Sequence, residues 1–412
     1  MSLKVITFGC RLNIYESAII EKQAKLAGLE NVLIFNSCAV TKEAERKLRQ
    51  AIRKAKKEFP EKQILVTGCA AQIHPEKYSA MPEVNKVFGN HEKVQSHTYE
   101  KILRNTEQVL VNDIMSIKDT AHQMVDGIEE KSKAFLQIQN GCNHRCTFCI
   151  IPYGRGNSRS VPVGEIVKST QNLINNQYKE IILTGVDITD YGSDLPGKPT
   201  LGNMINRLFK MVPNIERLRL SSIDVAEVDE ELFSIMVNDE RFMPYVHLSL
   251  QAGDDLILKR MKRRHRRDQV IEFCHRVWKY RPEVVFGADI IAGFPTETET
   301  MFSNTRDLIQ KLNIMHLHVF PYSSRENTPA SRMPQVDSKS IKSRAKQLRD
   351  LQNILVSTYL KKKVGTRAKI LAELNNTGYT EDYFKVISTQ SLNRGEIYEL
   401  DIKDAKNNIL IV

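Results

Sequence analysis

The chain has 412 residues, of which 41% are hydrophobic and 26% charged, and this length predicts two or three domains. Its N-terminus has too short an apolar stretch for a signal peptide, and no segment approaches the ~20 continuous apolar residues of a membrane span, so we expect a cytoplasmic location and no membrane partner. Lys and Arg outnumber Asp and Glu by 60 to 49, and the formal net charge of +11 favours a polyanionic partner.

The first hundred residues alternate extended and helical patterns, which is typical of a parallel sheet built from βαβ units. The predicted strands cover residues 3–8, 31–36, 63–67 and 84–88, and the predicted helices cover residues 15–27 and 41–57. We therefore expect an open parallel α/β domain over residues 1–110. Residues 111–133 are polar and irregular, and we interpret them as a linker.

Three cysteines of this first domain each follow a predicted strand. Cys10, Cys38 and Cys69 stand just past the carboxyl ends of parallel strands, where open α/β sheets gather their ligand sites. Free thiols in a small domain are often only small buried hydrophobes. The placement shared by all three indicates instead that they converge in space.

A second βα series begins at about Ala134. Its predicted strands cover residues 135–139, 180–184, 217–221, 246–250, 287–291 and 316–322. Six such units predict a partial (βα)6 barrel over residues 134–350, in which the loops after the strand ends build the active site. Cys274 falls on a predicted amphipathic helix of this region, and we interpret it as a buried apolar filler.

A loop with three cysteines begins directly after the first strand of this series. Cys142, Cys146 and Cys149 form a CxxxCxxC pattern, and three thiolates can hold three irons of a [4Fe–4S] cluster and leave the fourth open. A zinc site usually combines two CxxC segments to reach four ligands. His144 lies within the cysteine loop, and its side chain would have to fold back over very few residues to serve as the fourth ligand. A disulfide cluster belongs in a small secreted domain. We therefore expect a cluster here and a second one at the three cysteines of the first domain.

Other strand ends of the barrel carry polar or flexible residues. Gly185 permits a close backbone approach and Asp187 could meet a cationic amine, although an ordinary βα turn with an N-capping Asp fits this segment equally well. The turn with Gly293 and Pro295 could offer backbone amides to an adenine or a ribose. We also expect a phosphate-binding patch, rather than only a solvated helix face, at the densest run of cations: Lys259, Arg260, Lys262, Arg263 and Arg264.

The tail over residues 355–412 again changes in character. Residues 365–372, 383–388 and 396–400 are predicted to form short strands joined by Gly and Asn turns, which is typical of a small β-barrel that binds nucleic acid. Tyr379, Tyr383 and Phe384 are available to stack on bases. Aromatic residues in so small a domain are at least as often core residues, so none of the three is assigned to RNA individually.

Four segments together resemble the methylthiotransferases of the radical S-adenosylmethionine superfamily: residues 7–17, 36–41, 66–72 and 141–156. The resemblance covers nearly the whole chain and implies an N-terminal methylthiotransferase domain, a radical S-adenosylmethionine barrel and a C-terminal TRAM domain. Residues 9–13 read Gly-Cys-Arg-Leu-Asn and residues 378–380 read Gly-Tyr-Thr, as in the branch that acts on N6-threonylcarbamoyladenosine in tRNA. The isopentenyladenosine branch usually has Gly-Cys-Gln-Met-Asn, and the ribosomal-protein branch Gly-Cys-Pro-Lys-Asn.

The resemblance implies two [4Fe–4S] clusters and S-adenosylmethionine as cofactors. The set Cys142, Cys146 and Cys149 would hold the cluster that cleaves S-adenosylmethionine, and the set Cys10, Cys38 and Cys69 would hold an auxiliary cluster that carries sulfur. Candidate contacts of S-adenosylmethionine are Phe148, Gly185, Asp187, Gly293 and Pro295. The implied reaction replaces hydrogen at carbon 2 of the adenine next to the anticodon by a methylthio group.

The implied partners are tRNA and an electron donor such as flavodoxin or ferredoxin. Two alternatives keep the chemistry but change the substrate, to isopentenyladenosine in tRNA or to an aspartate of a ribosomal protein. A third is a non-catalytic iron–sulfur or zinc protein that binds RNA. One departure from the family is a shorter stretch between Cys10 and Cys38, which we expect to trim a surface loop without affecting the ligands.

Overall fold

An all-parallel sheet forms the N-terminal part of the structure, a computed structural model that describes residues 3–104, 107–118 and 132–412. Its strands stand side by side in chain order as β1 (Lys4–Thr7), β2 (Val32–Ser37), β3 (Gln63–Gly68), β4 (Lys86–Phe88) and β5 (Val109–Leu110). Its helices are α1 (Arg11–Leu26), α2 (Lys42–Glu58), α3 (Cys69–Ile73), α4 (Pro75–Ser79) and α5 (Ser96–Arg104). β2 is buried along its whole length, as expected for a parallel strand covered on both faces.

Local sequence signals explain how the long helices of this sheet begin. The Thr41 hydroxyl accepts a hydrogen bond from the Ala44 amide at 3.1 Å and so caps α2, while Glu43 adds negative charge to its first turn. α1 follows Cys10, whose extended backbone forms the N-cap. The predicted strands and helices of this region are confirmed to within a few residues, and a turn at residues 27–31 joins α1 to β2.

Six parallel strands in chain order form the predicted partial barrel. The strands of this region are β6 (Lys133–Gln137), β7 (Gln139–Asn140), β8 (Arg159–Ser160), β9 (Glu180–Thr184), β10 (Arg217–Leu220), β11 (Tyr245–Gln251), β12 (Val285–Ala292) and β13 (His316–Pro321). One sheet contains β6, β9 and β10, and a second contains β11, β12 and β13. Isolated parallel bridges, Leu218 to Phe242 and Ile223 to Leu248, connect the two sheets. β7 and β8 pair antiparallel outside the barrel wall.

Helices cover the outside of this barrel and bury its main core. They are α6 (Ile151–Arg155), α7 (Val163–Asn175), α8 (Leu201–Met211), α9 (Glu230–Asn238), α10 (Asp255–Arg260), α11 (Arg267–Tyr280) and α12 (Glu299–Lys311). Apolar side chains of the strands, such as Leu183, Leu218 and Phe286, pack against them. Cys274 is fully buried in this core on α11, which confirms its interpretation as an apolar filler.

A long helix and a curled sheet complete the fold. α13 (Ser338–Lys363) begins at Asp337, whose carboxylate accepts hydrogen bonds from two backbone amides, and it runs through the predicted interval between residues 350 and 355. The sheet contains β14 (Arg367–Glu373), β15 (Thr377–Thr380), β16 (Lys385–Ile387), β17 (Ile397–Asp401), β18 (Asp404–Lys406) and β19 (Ile409–Ile411). The sequence analysis missed α13, β15, β18 and β19.

The tail sheet packs against the amino-terminal end of the barrel. Val356 and Leu360 of α13 share a core with Phe384 of the tail and with Tyr245 and Val285, which begin two barrel strands. The predicted fold class, an open parallel sheet followed by a partial barrel and a small β domain, is confirmed. The interpretation of residues 111–133 as a linker lies partly outside the described residues. Within the described ranges, no helix is long and apolar enough to cross a membrane.

Candidate active site

The loop with Cys142, Cys146 and Cys149 is closed at its base by the pairing of β7 with β8. The Cys142 amide donates to the Gly156 carbonyl at 3.1 Å, and the Cys149 amide donates to the Cys146 carbonyl at 3.0 Å. Burial and the neighbouring Cys146 thiol raise the pKa of Cys149, to about 12. The three thiols, none of them in a disulfide, therefore stand together on one short and locally hydrogen-bonded segment.

Arg263 turns toward this loop. Its Nη1 lies 3.7 Å from the Cys146 Sγ, and its Nη2 donates to the Asp224 carboxylate at 2.8 Å and to the Ser249 carbonyl at 2.7 Å. A guanidinium held in this way favours negative charge on the neighbouring sulfurs. Arg263, which the sequence analysis placed in a phosphate-binding patch, thus contacts the cysteine loop in the structure.

His144 forms an ion pair beside the same loop. Its Nε2 lies 2.9 Å from an Asp187 carboxylate oxygen and 3.6 Å from a Glu227 oxygen, and these two carboxylates raise the pKa of His144 to about 10. Cys142, His144 and Asp187 also lie close enough to share a metal ion. In the structure His144 is engaged in an ion pair with Asp187.

Cys10, Cys38 and Cys69 converge at the carboxyl edge of the N-terminal sheet. Burial, together with the nearby thiols of Cys69 and Cys10, raises the pKa of Cys38 to about 12. Gly9 packs directly on Cys38, because a Cβ built on Gly9 would lie 2.9 Å from the Cys38 Sγ. The Asn90 amide nitrogen donates to the Cys69 Sγ at 3.5 Å.

Buried ions surround these dispersed cysteines. Arg155 donates from Nη1 and Nη2 to the two Glu16 carboxylate oxygens at 2.8 and 2.9 Å, and the Lys93 ammonium donates to Glu16 at 2.7 Å. Arg155 also donates to the Asn13 amide oxygen at 2.5 Å. The sequence analysis missed this cluster. Its available signal was that Asn13, Glu16 and Arg155 all lie inside the segments that carried the family resemblance.

A single cavity of about 330 Å³ joins the two sets of cysteines. Cys10 from the dispersed set and Cys149 from the loop both line it, and so does Arg155 of α6. Its walls are largely apolar, with contributions from both domains: Leu12, Val40, Phe148, Ile150, Ile291, Phe320 and Tyr322. One cysteine of each set therefore faces a common space of the size that small-molecule sites have.

Of the five residues predicted to contact S-adenosylmethionine, two line the cavity, one stands beside it and two lie behind it. Phe148 and Gly185 line the cavity, and Asp187 stands beside it with an oxygen 3.4 Å from the Cys142 Sγ. Gly293 and Pro295 are buried in a turn behind the cavity, where a Cβ on Gly293 would lie 2.5 Å from Ile341 of α13. All five remain predictions as cofactor contacts.

The barrel interior below the cavity contains a polar chain that the sequence analysis missed. The Tyr245 hydroxyl lies 2.7 Å from the His247 Nδ1, and His247 and His318 approach one Asp289 oxygen at 3.2 and 3.0 Å. Burial would raise the pKa of Asp289, but the two imidazoles hold it well below its usual value. The available signal was the alternation of side chains along a strand. Tyr245 and His247 are two residues apart in β11 and therefore face the same side of the sheet.

The basic run is divided between buried and exposed positions. Arg260 donates to the Thr296 hydroxyl at 2.7 Å, and Arg264 pairs with Glu227. Lys259 and Lys262 point into solvent. Arg264 is exposed as well, although its guanidinium pairs with Glu227. The phosphate-binding assignment of the run remains a prediction.

The tail aromatics mostly pack against the barrel. Phe384 is buried, and Tyr383 stacks between Tyr245 and Tyr379, with ring centroids 5.2 and 5.1 Å apart. The Lys133 ammonium lies 3.7 Å from the centre of the Tyr379 ring. These side chains hold the tail to the barrel.

Two family descriptions match the chain, radical SAM superfamily over residues 136–309 and uncharacterized protein family UPF0004 over residues 2–89. A relative from Rickettsia prowazekii, the threonylcarbamoyladenosine tRNA methylthiotransferase MtaB, is 54% identical over 97% of this chain and 94% of its own length. The Aquifex aeolicus protein of that name is 33% identical over 94% and 96%. The tRNA-2-methylthio-N(6)-dimethylallyladenosine synthase of Ehrlichia chaffeensis is 33% identical over 83% and 80%.

Solved structures support the fold. The radical S-adenosylmethionine methyltransferase TsrM from Kitasatospora setae superposes with a TM-score of 0.58 at 12% identity, covering 80% of this chain and 77% of its own. The cobalamin-dependent radical enzyme OxsB gives 0.51 at 10% identity, over 85% and 55%. At these identities the likeness concerns the fold alone. From its relatives, the chain belongs to the radical SAM tRNA methylthiotransferases, the family that its motifs predicted.

Proposed function

We propose that the chain adds a methylthio group to carbon 2 of N6-threonylcarbamoyladenosine in tRNA, at the adenine next to the anticodon. The observation that carries this proposal is the cavity shared by Cys10 and Cys149, because sulfur insertion needs the radical source and the sulfur source at one substrate atom. The name of the Rickettsia prowazekii relative, which is 54% identical, supports the substrate, and relatives of either name at 33% identity do not distinguish the two substrates.

The donor sets fit two [4Fe–4S] clusters. Each set offers three free thiols and no fourth cysteine, which leaves one iron of each cluster open. We assign Cys142, Cys146 and Cys149 to the cluster that binds S-adenosylmethionine, and Cys10, Cys38 and Cys69 to the auxiliary cluster. Once bound, these groups supply a 5′-deoxyadenosyl radical and a methylated sulfur, with electrons from a donor such as flavodoxin or ferredoxin.

The protein's own residues position the substrate and exclude water. An adenine inside a folded RNA must leave its stack to reach an enclosed site, and apolar walls can accept the exposed base. Phe148 and Phe320 provide such walls. Asp289 is the cavity residue best placed to accept a hydrogen bond from the substrate, because the imidazoles below it keep it ionised.

The proposed domain roles follow from this arrangement. Residues 1–110 hold the auxiliary cluster, residues 134–350 hold the radical-generating cluster, and residues 355–412 contribute to RNA binding. The exposed cations Lys259 and Lys262 are proposed to contact tRNA phosphates.

Nucleoside mass spectrometry of tRNA from a strain that lacks this protein tests the substrate. We expect the methylthio form of threonylcarbamoyladenosine to disappear, to return with the wild-type chain, and to stay absent with Cys10→Ala. An unchanged level would overturn the proposal. A loss of the methylthio form of isopentenyladenosine, or of a modified ribosomal-protein aspartate, would instead support one of the two substrate alternatives.

Anaerobic reconstitution tests the two-cluster assignment. We expect about eight irons per chain, and 5′-deoxyadenosine on addition of dithionite and S-adenosylmethionine. About four irons would remove one cluster. A failure to form 5′-deoxyadenosine would favour the non-catalytic RNA-binding alternative.

The RNA patch is tested with the double variant Lys259→Ala, Lys262→Ala. We expect several-fold weaker binding to tRNA and a shallower dependence on salt, because two phosphate contacts are lost. Lys54→Ala with Lys57→Ala, two exposed cations of α2, is the matched control. Equal weakening of tRNA binding in the two double variants would show that binding depends on the net charge of the protein and not on the position of the two lysines.

A further inference from the structure

The ion cluster beside Cys10 and Cys69 carries an unbalanced charge. Lys93, Glu16 and Arg155 have relative exposures of 0%, 1% and 2%, so solvent reaches none of them. Two cations share a single carboxylate at 2.7 to 2.9 Å. The other groups that contact these cations are the neutral amides of Asn13, Asn36 and Asn140. The cluster therefore has a formal charge of plus one.

The charge states follow from the mutual contacts. Burial would raise the pKa of Glu16, but Arg155 and Lys93 lower it to about 2, so Glu16 is ionised. Burial lowers the pKa of Lys93, and the Glu16 carboxylate 2.7 Å away opposes this. The ion pair with Glu16 therefore favours the charged form of Lys93.

A buried excess cation is costly unless a negative group lies close to it. Glu92, another buried carboxylate of the domain, accepts its hydrogen bonds from Asn112 rather than from Lys93 or Arg155. The dispersed cysteines lie next to Arg155, because Cys10 lines the same cavity and a Cβ on Gly154, the residue before Arg155, would lie 3.2 Å from the Cys69 Cβ. Three thiolates around an oxidised [4Fe–4S] core of charge two plus have a total charge of minus one, which matches the excess of the ion cluster.

We propose that Lys93 and Arg155, held in place by Glu16, neutralise the auxiliary cluster site and raise its reduction potential. This inference rests on the proposed function, in which Cys10, Cys38 and Cys69 hold a cluster. One-electron reduction by a donor such as dithionite makes that site more negative, so a nearby fixed cation favours the reduced form. These three residues act on the cluster through their charge, and none of them is proposed as an iron ligand.

The loop site lacks this excess. Arg263, 3.7 Å from the Cys146 Sγ, pairs with Asp224 at 2.8 Å, and Arg264 approaches the same carboxylate at 3.5 Å. Arg264 also pairs with Glu227, and His144 pairs with Asp187 at 2.9 Å, so three cations of this network face three carboxylates. The same substitutions in the ion cluster should therefore act on one site and leave the other unchanged. This difference supplies an internal control within one chain.

The experiment measures the midpoint potential of the auxiliary cluster by EPR during titration with dithionite. The background is a chain with Cys142→Ala, Cys146→Ala and Cys149→Ala, in which only the dispersed site remains. Lys93→Met should lower the equilibrium constant for reduction by about tenfold, and Glu16→Gln should raise it by about tenfold, from one unit charge at roughly 10 Å in a medium of dielectric about 20. The double variant restores the charge of plus one and should return close to the parent value.

Matched variants separate charge from structure. Glu21→Gln removes an exposed carboxylate from the same helix α1 and should leave the potential unchanged. If Lys93→Met does not fold, Lys93→Gln keeps a hydrogen-bonding group to Glu16 and tests the same loss of charge. Shifts in the same direction for Lys93→Met and Glu16→Gln, or no shift in either, would overturn the inference while the proposed function stands. If the background chain binds no iron although it folds, the auxiliary cluster itself fails, and the inference with it.

Discussion

The two sets of cysteines differ in how the chain brings them together. Cys142, Cys146 and Cys149 lie within one loop whose base is closed by the β7 and β8 pairing. Cys10, Cys38 and Cys69 come from three strand ends, and they meet only when β1, β2 and β3 pair in register. The first set therefore depends on the structure of one loop, whereas the second depends on the pairing of three strands of the sheet.

The charged residues around the two sets of cysteines also differ. The loop set is bordered by locally balanced ion pairs, such as Arg263 with Asp224. The dispersed set is bordered by Lys93, Glu16 and Arg155, of which Arg155 comes from the barrel. A site assembled from distant segments depends on the docking of two domains, so we expect it to be the more fragile of the two.

The largest expected effect comes from Cys146→Ala, which should abolish all chemistry. Without this ligand, 5′-deoxyadenosine and methylthio product should both fall below detection, and iron should fall from about eight to about four per chain. Cys274→Ala changes a thiol buried in the barrel core and is the control, with iron expected to stay unchanged. Retention of 5′-deoxyadenosine formation in Cys146→Ala would contradict the assignment of the loop.

Cys38→Ala should separate the two sites. We expect 5′-deoxyadenosine to persist, because the loop is untouched, while the methylthio nucleoside is lost and about four irons remain. Chromatographic quantification of both products in one reaction checks this. Methylthio formation at the wild-type rate would show that the dispersed cysteines have no role in sulfur transfer.

Gly9→Ala should weaken only the dispersed site. Gly9 has φ +103°, and a Cβ there would lie 2.7 Å from the Cys38 Cβ, so strain and overlap should cost about 1–3 kcal/mol in the free energy of unfolding. Gly164→Ala is the control, because a Cβ at Gly164 meets nothing within 4 Å. Urea unfolding and iron content measure both effects. Equal stability of the two variants would show that Cys38 can move freely.

Acid should have the smallest effect, and it should act through Glu16. Its pKa is about 2 in the folded chain against an ordinary 4.5, so its contribution to stability is present above about pH 4.5 and is lost as pH falls toward about 2. Glu16→Gln should flatten the loss of stability between about pH 4.5 and about pH 2, whereas Glu21→Gln should not. Urea unfolding of the metal-free chain at several pH values measures the difference. Parallel curves for wild type and Glu16→Gln would contradict it.

Features with a local pattern could be predicted from the sequence. Strands with runs such as Val32 to Phe35 and the spacing of the cysteine loop depend on neighbouring residues, and the predicted strands of both α/β regions are found. α13 was missed because most of its residues are polar or charged, as in a surface loop. Its N-cap residue, Asp337, is of a type that is common in turns as well as at helix starts. The ion cluster could not be predicted, since Glu16 and Arg155 are 139 residues apart. The chain from Tyr245 to Asp289 likewise needs two neighbouring strands to form.

By itself, the sequence determined the family, the two sets of thiols and the succession of three folding units, because each follows from residues close together or from strand order. Only the tertiary structure decided that Cys10 and Cys149 face one cavity, that Arg263 turns toward Cys146, and that a buried excess of positive charge lies beside the dispersed thiols. The physical reason is that charge balance and shared cavities depend on distances between segments, and these distances exist only once the sheet, the barrel and the tail have packed.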